Sequence, residues 1–216
     1  MLILAFDTAT PAVTVALHDG ARVLAQESAV DARRHGELLA PLVGRVLAAA
    51  GFRPADLESI AVGTGPGPYT GLRVGLVTAR VLGSALAIAV DGICTLDVIA
   101  AEASERAAGR EFIVATDARR REVYWARYSP AGERLSGPEV SLPALVPAGC
   151  PVAGQGPVLY PELADQPIGP RYPAAGRLAG ISARKLSLGI PASPPDPLYL
   201  RRPDAAEPGR PKRVTP

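Results

Sequence analysis

Asp7 and Thr8, at the end of an apolar run, and Gly65 and Gly67, within Gly63-Thr64-Gly65-Pro66-Gly67-Pro68, have the types and spacing to handle a phosphate. A carboxylate can hold a metal-bound water, and a neighbouring hydroxyl can donate to a phosphate oxygen. Glycines let backbone approach such an anion, and a helix starting just after them offers free N–H groups. The same residues have a plainer use. Asp and Thr satisfy turn backbone, and a glycine-rich segment makes a tight turn. Spacing alone does not choose between the two.

These residues need elements to hold them. Residues 60–64 read as a buried strand, Thr70 as an N-cap, and 71–86 as a helix. Along that helix Gly71, Gly75, Ala79 and Gly83 recur at every fourth position, a smooth groove suited to close approach by another helix. Each interior glycine costs about 0.5–1 kcal/mol relative to alanine, so packing must compensate. Arg73 and Arg80 are its only charges, and a helix apolar nearly all round must be covered on two sides. An earlier helix is expected over 33–50, closed by Gly51, with His35 near its start and Pro41 kinking it or marking a late start. Its apolar stripe is Leu38, Leu39, Leu42, Val43, Val46, Leu47 and Ala50.

The chain opens with a strand over 2–6, then strands over 13–18 and 22–28 joined at Asp19-Gly20. A short strand over 87–90 and a helix over 94–108 follow the glycine-rich helix. Then AFDTATPAVTVALHDGARVLA finds an echo in VATDARRREVYWARYSPAGERLS, with strand, Asp-containing turn, strand, Gly turn and strand in the same order. That spacing indicates an internal duplication with a shortened second copy. A helix over 174–188 and a proline-rich tail from about residue 191 complete it.

Hydrophobic residues are 48% of the 216 and charged residues 20%, the balance of a folded chain. With 23 basic against 21 acidic side chains the net charge is +2, too even for a general nucleic-acid binder. Arg119, Arg120 and Arg121 do cluster, as do Arg201, Arg202, Arg210, Lys212 and Arg213, and they could form a basic rim for a nucleic acid or simply decorate a turn and a tail. No apolar run reaches the ~20 residues that span a bilayer, and the two cysteines, Cys94 and Cys150, suit a reduced, cytoplasmic protein.

The segments AFDTAT, RRHGELLAPLV, IAVGTGPGPYTGLRVGLVTARVLGSAL, DARRREVYWARY and PLYLRRPDA resemble the TsaB (YeaZ) family across nearly the whole chain. The resemblance implies a two-lobed α/β fold of the actin/Hsp70/sugar-kinase kind, RNase H-like in topology, with mixed sheets and flanking helices. The lobes are then expected at 1–109 and 110–216, the second one shortened. It also implies a cytoplasmic, non-catalytic subunit of the machinery that makes threonylcarbamoyladenosine in tRNA. Its partners are then a TsaD-like transferase, in a heterodimer, and a TsaE-like ATPase, with tRNA reached through the complex and a homodimer when alone.

In TsaD-like relatives a His-x-x-x-His metal site follows the glycine-rich helix; alignment on this sequence puts Thr95 and Ile99 there, and neither replaces an imidazole. His18 and His35 are the only histidines, so no metal centre is expected and no catalytic residue is assigned. The resemblance likewise implies no tightly bound cofactor, with any ATP or ADP and magnesium shared at the partner interface. The partner surface is expected on the two N-terminal helices. His35, Leu38, Leu39, Leu42, Val43 and Val46 would form one side; Gly71, Arg73, Val74, Gly75 and Val77 would form the other, so that Gly75→Leu would break the complex and leave the monomer folded. The alternatives are a weak ATP-binding enzyme of the kinase or acyl-transfer kind, using Asp7, Thr8, Gly65 and Gly67, and a metallopeptidase, which the want of a His/Cys/Asp cluster opposes.

Overall fold

The computed structural model describes residues 1–164 and 167–201. β1 (Ile3–Asp7), β2 (Ala12–His18) and β3 (Val23–Val30) form an antiparallel meander. After α1 (His35–Ala50), β4 (Ser59–Gly63) pairs parallel with β1; after α2 (Tyr69–Leu86), β5 (Ala89–Ile93) pairs parallel with β4. The first sheet therefore has the order β3-β2-β1-β4-β5. α3 (Thr95–Ala103) leads to a second sheet of β6 (Phe112–Asp117), β7 (Val123–Tyr128), β8 (Arg134–Ser141) and β9 (Val152–Ala153). Its order is β8-β7-β6-β9, again an antiparallel meander with a parallel strand beside its first member. The duplication read from spacing is real at the level of topology. α4 (Gly156–Leu159) and α5 (Ala175–Ser187) follow.

β1, β2 and β4 are buried along their whole length, which is why they read as continuous apolar runs. Leu4, Phe6, Val13, Val15, Leu17, Ile60 and Val62 face α1 and α2, meeting Leu39, Leu42, Val46, Leu72 and Leu76. On the other face Ile3, Ala5 and Ala61 meet Leu178, Ala179 and Ala183 of α5. α5, which lies beyond the division expected at residue 109, thus packs on the first sheet. The C-terminal helix returns to the first sheet, because alternate residues of β1 and β4 are apolar on that face too and need a cover.

Several boundaries also move. Pro68 rather than Thr70 stands at the N-cap of α2, with no side-chain cap, since Thr70 already lies inside the helix. Pro41 sits exposed within a continuous α1 that starts at His35. The missing N–H would have bonded to the carbonyl of exposed Glu37, which water can reach instead. The strand expected over 87–90 begins at Ala89, because Ala87 adopts φ 55° as the left-handed C-cap of α2. The helix expected over 94–108 ends at Ala103 and tightens into a 3₁₀ turn over Ser104–Arg106.

Candidate functional site: the closed turn and the open helix face

The turn between β1 and β2 packs directly against the glycine-rich loop and the start of α2. Asp7 is fully buried, its Oδ2 accepting from Thr95 Oγ1 at 2.7 Å and its Oδ1 from the Ala9 amide at 2.7 Å. Thr95 Oγ1 also accepts from the Gly65 amide at 3.1 Å, and the Thr95 amide donates to the Gly65 carbonyl at 2.8 Å. Burial raises the Asp7 carboxyl above its ordinary range, opposed by the Thr95 hydroxyl, the Ala9 amide and the charge of His35. A Cβ on Gly63 would collide with the Asp7 carboxylate, and one on Gly67 with the Ala9 carbonyl. The loop glycines thus admit a close approach, but to this chain's own turn.

Thr8 is equally committed. Its hydroxyl donates to the Gly71 carbonyl at 2.8 Å and accepts from the Gly75 amide at 3.0 Å. Those two backbone groups are four residues apart, the pair an α-helix ordinarily joins to each other. A Cβ on Gly75 would lie 2.6 Å from Thr8 Oγ1, and one on Gly71 2.8 Å from the Thr8 carbonyl. His35, also buried, donates from Nε2 to the Thr10 carbonyl at 2.8 Å.

Two expectations are corrected. Asp7, Thr8, Gly65 and Gly67 do come together, as a sealed junction with both side chains hydrogen-bonded inside the chain rather than a loop turned toward a phosphate. The stripe Gly71, Gly75, Ala79 and Gly83 is buried and filled from within by Thr8, His35 and, at Gly83, Val90; it is no groove for another protein. Leu39, Leu42 and Val46 belong to the core, His35 anchors the first turn, and Leu38, Val43 and Val74 are half-buried at its edge. Of the residues expected on the partner surface, Arg73 and Val77 are exposed, Val77 at 57%.

The open face lies elsewhere on the same two helices. On α1, Gly36, Ala40, Gly44 and Ala48 are exposed at every fourth position, and a Cβ on Gly36 or Gly44 would meet nothing within 4 Å. On α2, Val77 and Val81 are exposed at 57% and 60%. α1 and α2 pack side by side on the first sheet, so both features look outward from one layer.

The second half carries a counterpart of the first junction. β9 runs into Gly154-Gln155-Gly156 and then α4, as β4 runs into its glycine loop and α2. A Cβ on Gly154 or Gly156 would collide with Ala115 of β6, the same own-chain approach. Sequence reading missed this pair; the signal was two glycines flanking one residue after a short apolar strand. Between β6 and β7, Arg119, Arg120 and Arg121 all take left-handed backbone, φ 62°, 55° and 62°. The turn is stabilised by the Arg119 amide donating to Asp7's counterpart, Asp117 Oδ1, at 2.8 Å and by an Arg119–Asp117 ion pair. Arg201 reaches this turn from the C-terminal side; Arg202, Arg210, Lys212 and Arg213 lie outside the described residues. Burial pushes the Cys94 thiol, just before α3, up to about 12, which disfavours its thiolate at neutral pH. Thr95 and Ile99 are both buried, and among the described residues no three His, Cys, Asp or Glu side chains come together as metal ligands.

A mixed sheet of order 3-2-1-4-5, echoed by a shorter sheet of the same plan, defines a duplicated RNase H-like α/β protein of the actin and sugar-kinase kind. The sequence model of the family described as TsaD, tRNA N6-adenosine threonylcarbamoyltransferase, matches residues 22–148, more than half of the chain. An uncharacterised protein of Mycobacterium tuberculosis is 45% identical over 207 residues, covering 94% of this chain and 93% of its own. The Escherichia coli tRNA threonylcarbamoyladenosine biosynthesis protein TsaB is 37% identical over 128 residues, 59% of this chain and 55% of its own. The solved structure of YeaZ from Pseudomonas aeruginosa superposes with a TM-score of 0.76 at 28% identity, covering 92% of this chain and 99% of that one. A second Pseudomonas aeruginosa structure, described as similar to peptidase YeaZ, gives 0.79 at 29% identity over 93% and 99%. The chain belongs to this family, on its TsaB (YeaZ) branch.

Proposed function

We propose that this protein serves tRNA threonylcarbamoyladenosine biosynthesis as a non-catalytic subunit, docking a TsaD-like transferase on the outer face of α1 and α2. A TsaE-like ATPase joins the pair, and tRNA is met through the assembly. The observation that carries the reading is the open face itself. A row of small residues on α1 beside exposed Val77 and Val81 on α2 lets a partner helix approach closely and bury apolar surface worth about 25 cal/mol per Å². The glycines of α1 each cost roughly 0.5–1 kcal/mol, and no contact within the chain requires Gly36 or Gly44. A non-catalytic role is supported by chemistry: Asp7 and Thr8 are committed to the fold, and Thr95 and Ile99 stand where metal ligands would be needed. On this reading the chain holds no nucleotide tightly; any ATP or ADP with magnesium sits where the partner contributes the ligands.

The test is Gly44→Leu. The added side chain points into open space and improves helix preference, so the isolated protein keeps or slightly raises its melting temperature. Co-purification with TsaD is expected to weaken at least ten-fold, and tRNA modification reconstituted with TsaD and TsaE to fall with it. An unchanged complex removes this face from the interface. Val81→Glu tests the α2 half in the same way.

A further inference from the structure

Beyond α5, residues 189–201 form a segment without helix or strand that contains Pro191, Pro194, Pro195 and Pro197. Prolines restrict the free segment, so less entropy is lost when it is laid down. It is fastened at every stage of its path. At its start the Ser193 amide donates to Asp91 Oδ1 at 2.8 Å, the same oxygen that Lys185 Nζ approaches at 2.5 Å. The Gly92 amide of edge strand β5 donates to the Ser193 carbonyl at 2.9 Å, and a Cβ on Gly92 would lie 2.5 Å from the Pro194 carbonyl. Arg80 of α2 then holds the Pro195 carbonyl at 2.9 Å and Asp196 at 2.6 Å. The Leu198 amide donates to the Thr64 carbonyl in the glycine loop at 2.8 Å. Tyr199 stacks on Tyr69 with centroids 5.2 Å apart and accepts from Arg73 Nε at 2.9 Å. Finally Arg201 crosses to the second sheet, donating to the Ala118 carbonyl at 3.2 Å and pairing with Glu122.

The segment therefore starts on the first sheet, follows the flank of α2 and ends on the β6–β7 turn. There it walls a cavity of about 310 Å³, with Pro68 and Tyr69 on one side and Ala118, Arg119 and Tyr124 on the other. We propose that residues 189–201 are a latch between the two halves of the molecule: fastened, they hold the β6–β7 turn against the start of α2 and close this cleft, and released, they let it open. The catch is the Tyr199–Tyr69 stack with Arg201 as its end stop. Three features support a releasable device over a permanent seam. The anchors are hydrogen bonds, ion pairs and one aromatic stack, not an apolar core. Asp196 and Arg80 keep 74% and 51% side-chain exposure, where an ion pair contributes little. The four prolines resist folding into any competing element.

Amide hydrogen exchange on the full chain tests this, comparing the wild type with Tyr199→Ala and with Arg201→Ala. A latch predicts at least ten-fold faster exchange at residues 118–122 of the turn and 64–72 of the loop and helix start, with β2 and α1 unchanged. Faster exchange confined to 189–201 would mean the segment merely lies on the surface, and the proposal fails. Should Tyr199→Ala not fold, Arg201→Ala alone decides, because it removes only the contact to the second half.

Discussion

The Thr8 hydroxyl, set between the Gly71 carbonyl and the Gly75 amide, makes a coupling that a double-mutant cycle can measure. Gly75→Ala alone should gain about 0.5–1 kcal/mol of helix preference. Against that, its Cβ would sit 2.6 Å from Thr8 Oγ1 and push the hydroxyl off both partners. Two buried hydrogen bonds at about 1 kcal/mol each, with overpacking of about 1–3 kcal/mol, outweigh the gain. The expected net loss is about 2–4 kcal/mol, or roughly 4–16 °C in melting temperature for a chain of this size. In a Thr8→Ala background the obstruction is gone and the two backbone groups can bond directly. There Gly75→Ala becomes neutral or stabilising by about 0.5–1 kcal/mol. The cycle should therefore return a coupling of at least about 2 kcal/mol, read as shifts of the urea midpoint at constant slope. If Gly75→Ala costs the same in both backgrounds, or nothing in the wild type, the hydroxyl is not the element that fixes glycine at this position. The same geometry means Gly75→Leu cannot report on partner binding, since it would damage the monomer.

Thr95→Val removes the hydroxyl that donates to the buried Asp7 carboxylate and accepts from Gly65, and should lower stability by about 2–4 kcal/mol in urea unfolding, while Thr95→Ser should cost under about 1.5 kcal/mol; equal losses would mean packing, not the hydroxyl, matters. Asp7 supplies a pH signature. Burial holds its carboxyl above the ordinary range, so its linked stability is fully present below the unfolded value near 3.9 and is lost as pH rises through the higher folded value. The advantage of the wild type over Asp7→Asn should thus shrink as pH rises above about 4; a flat or growing advantage contradicts it.

Much of this fold was legible in the residues because strand periodicity and turn chemistry are local. Asp19-Gly20 specified its hairpin: the Asp19 side chain accepts from the Ala21 and Arg22 amides and Gly20 takes φ 96°. The repeated strand–Asp-turn–strand pattern foretold two sheets of one plan. What could not be read was facing. α2 is apolar on most of its circumference, so the spacing of Gly71, Gly75 and Gly83 gave no sign of which way they point. The matching row on α1 went unnoticed beside its leucines, although Gly36, Ala40, Gly44 and Ala48 have the same period. Asp7 and Thr8 were found as a pair, but sealing them required Thr95, 88 residues from Asp7, and Gly71, 63 residues from Thr8. The return of α5 to the first sheet is likewise a long-range fact that no local pattern encodes.

That return sets an order on synthesis. Ile3 and Ala5 leave the ribosome long before Leu178, Ala179 and Ala183. Until α5 is made, that side of the founding sheet has only Val98 of α3 from this cluster to lie against. A nascent copy must keep that half-covered surface from sticking to its neighbours until α5 follows, and any message cut short before α5 yields a product that never completes the cover.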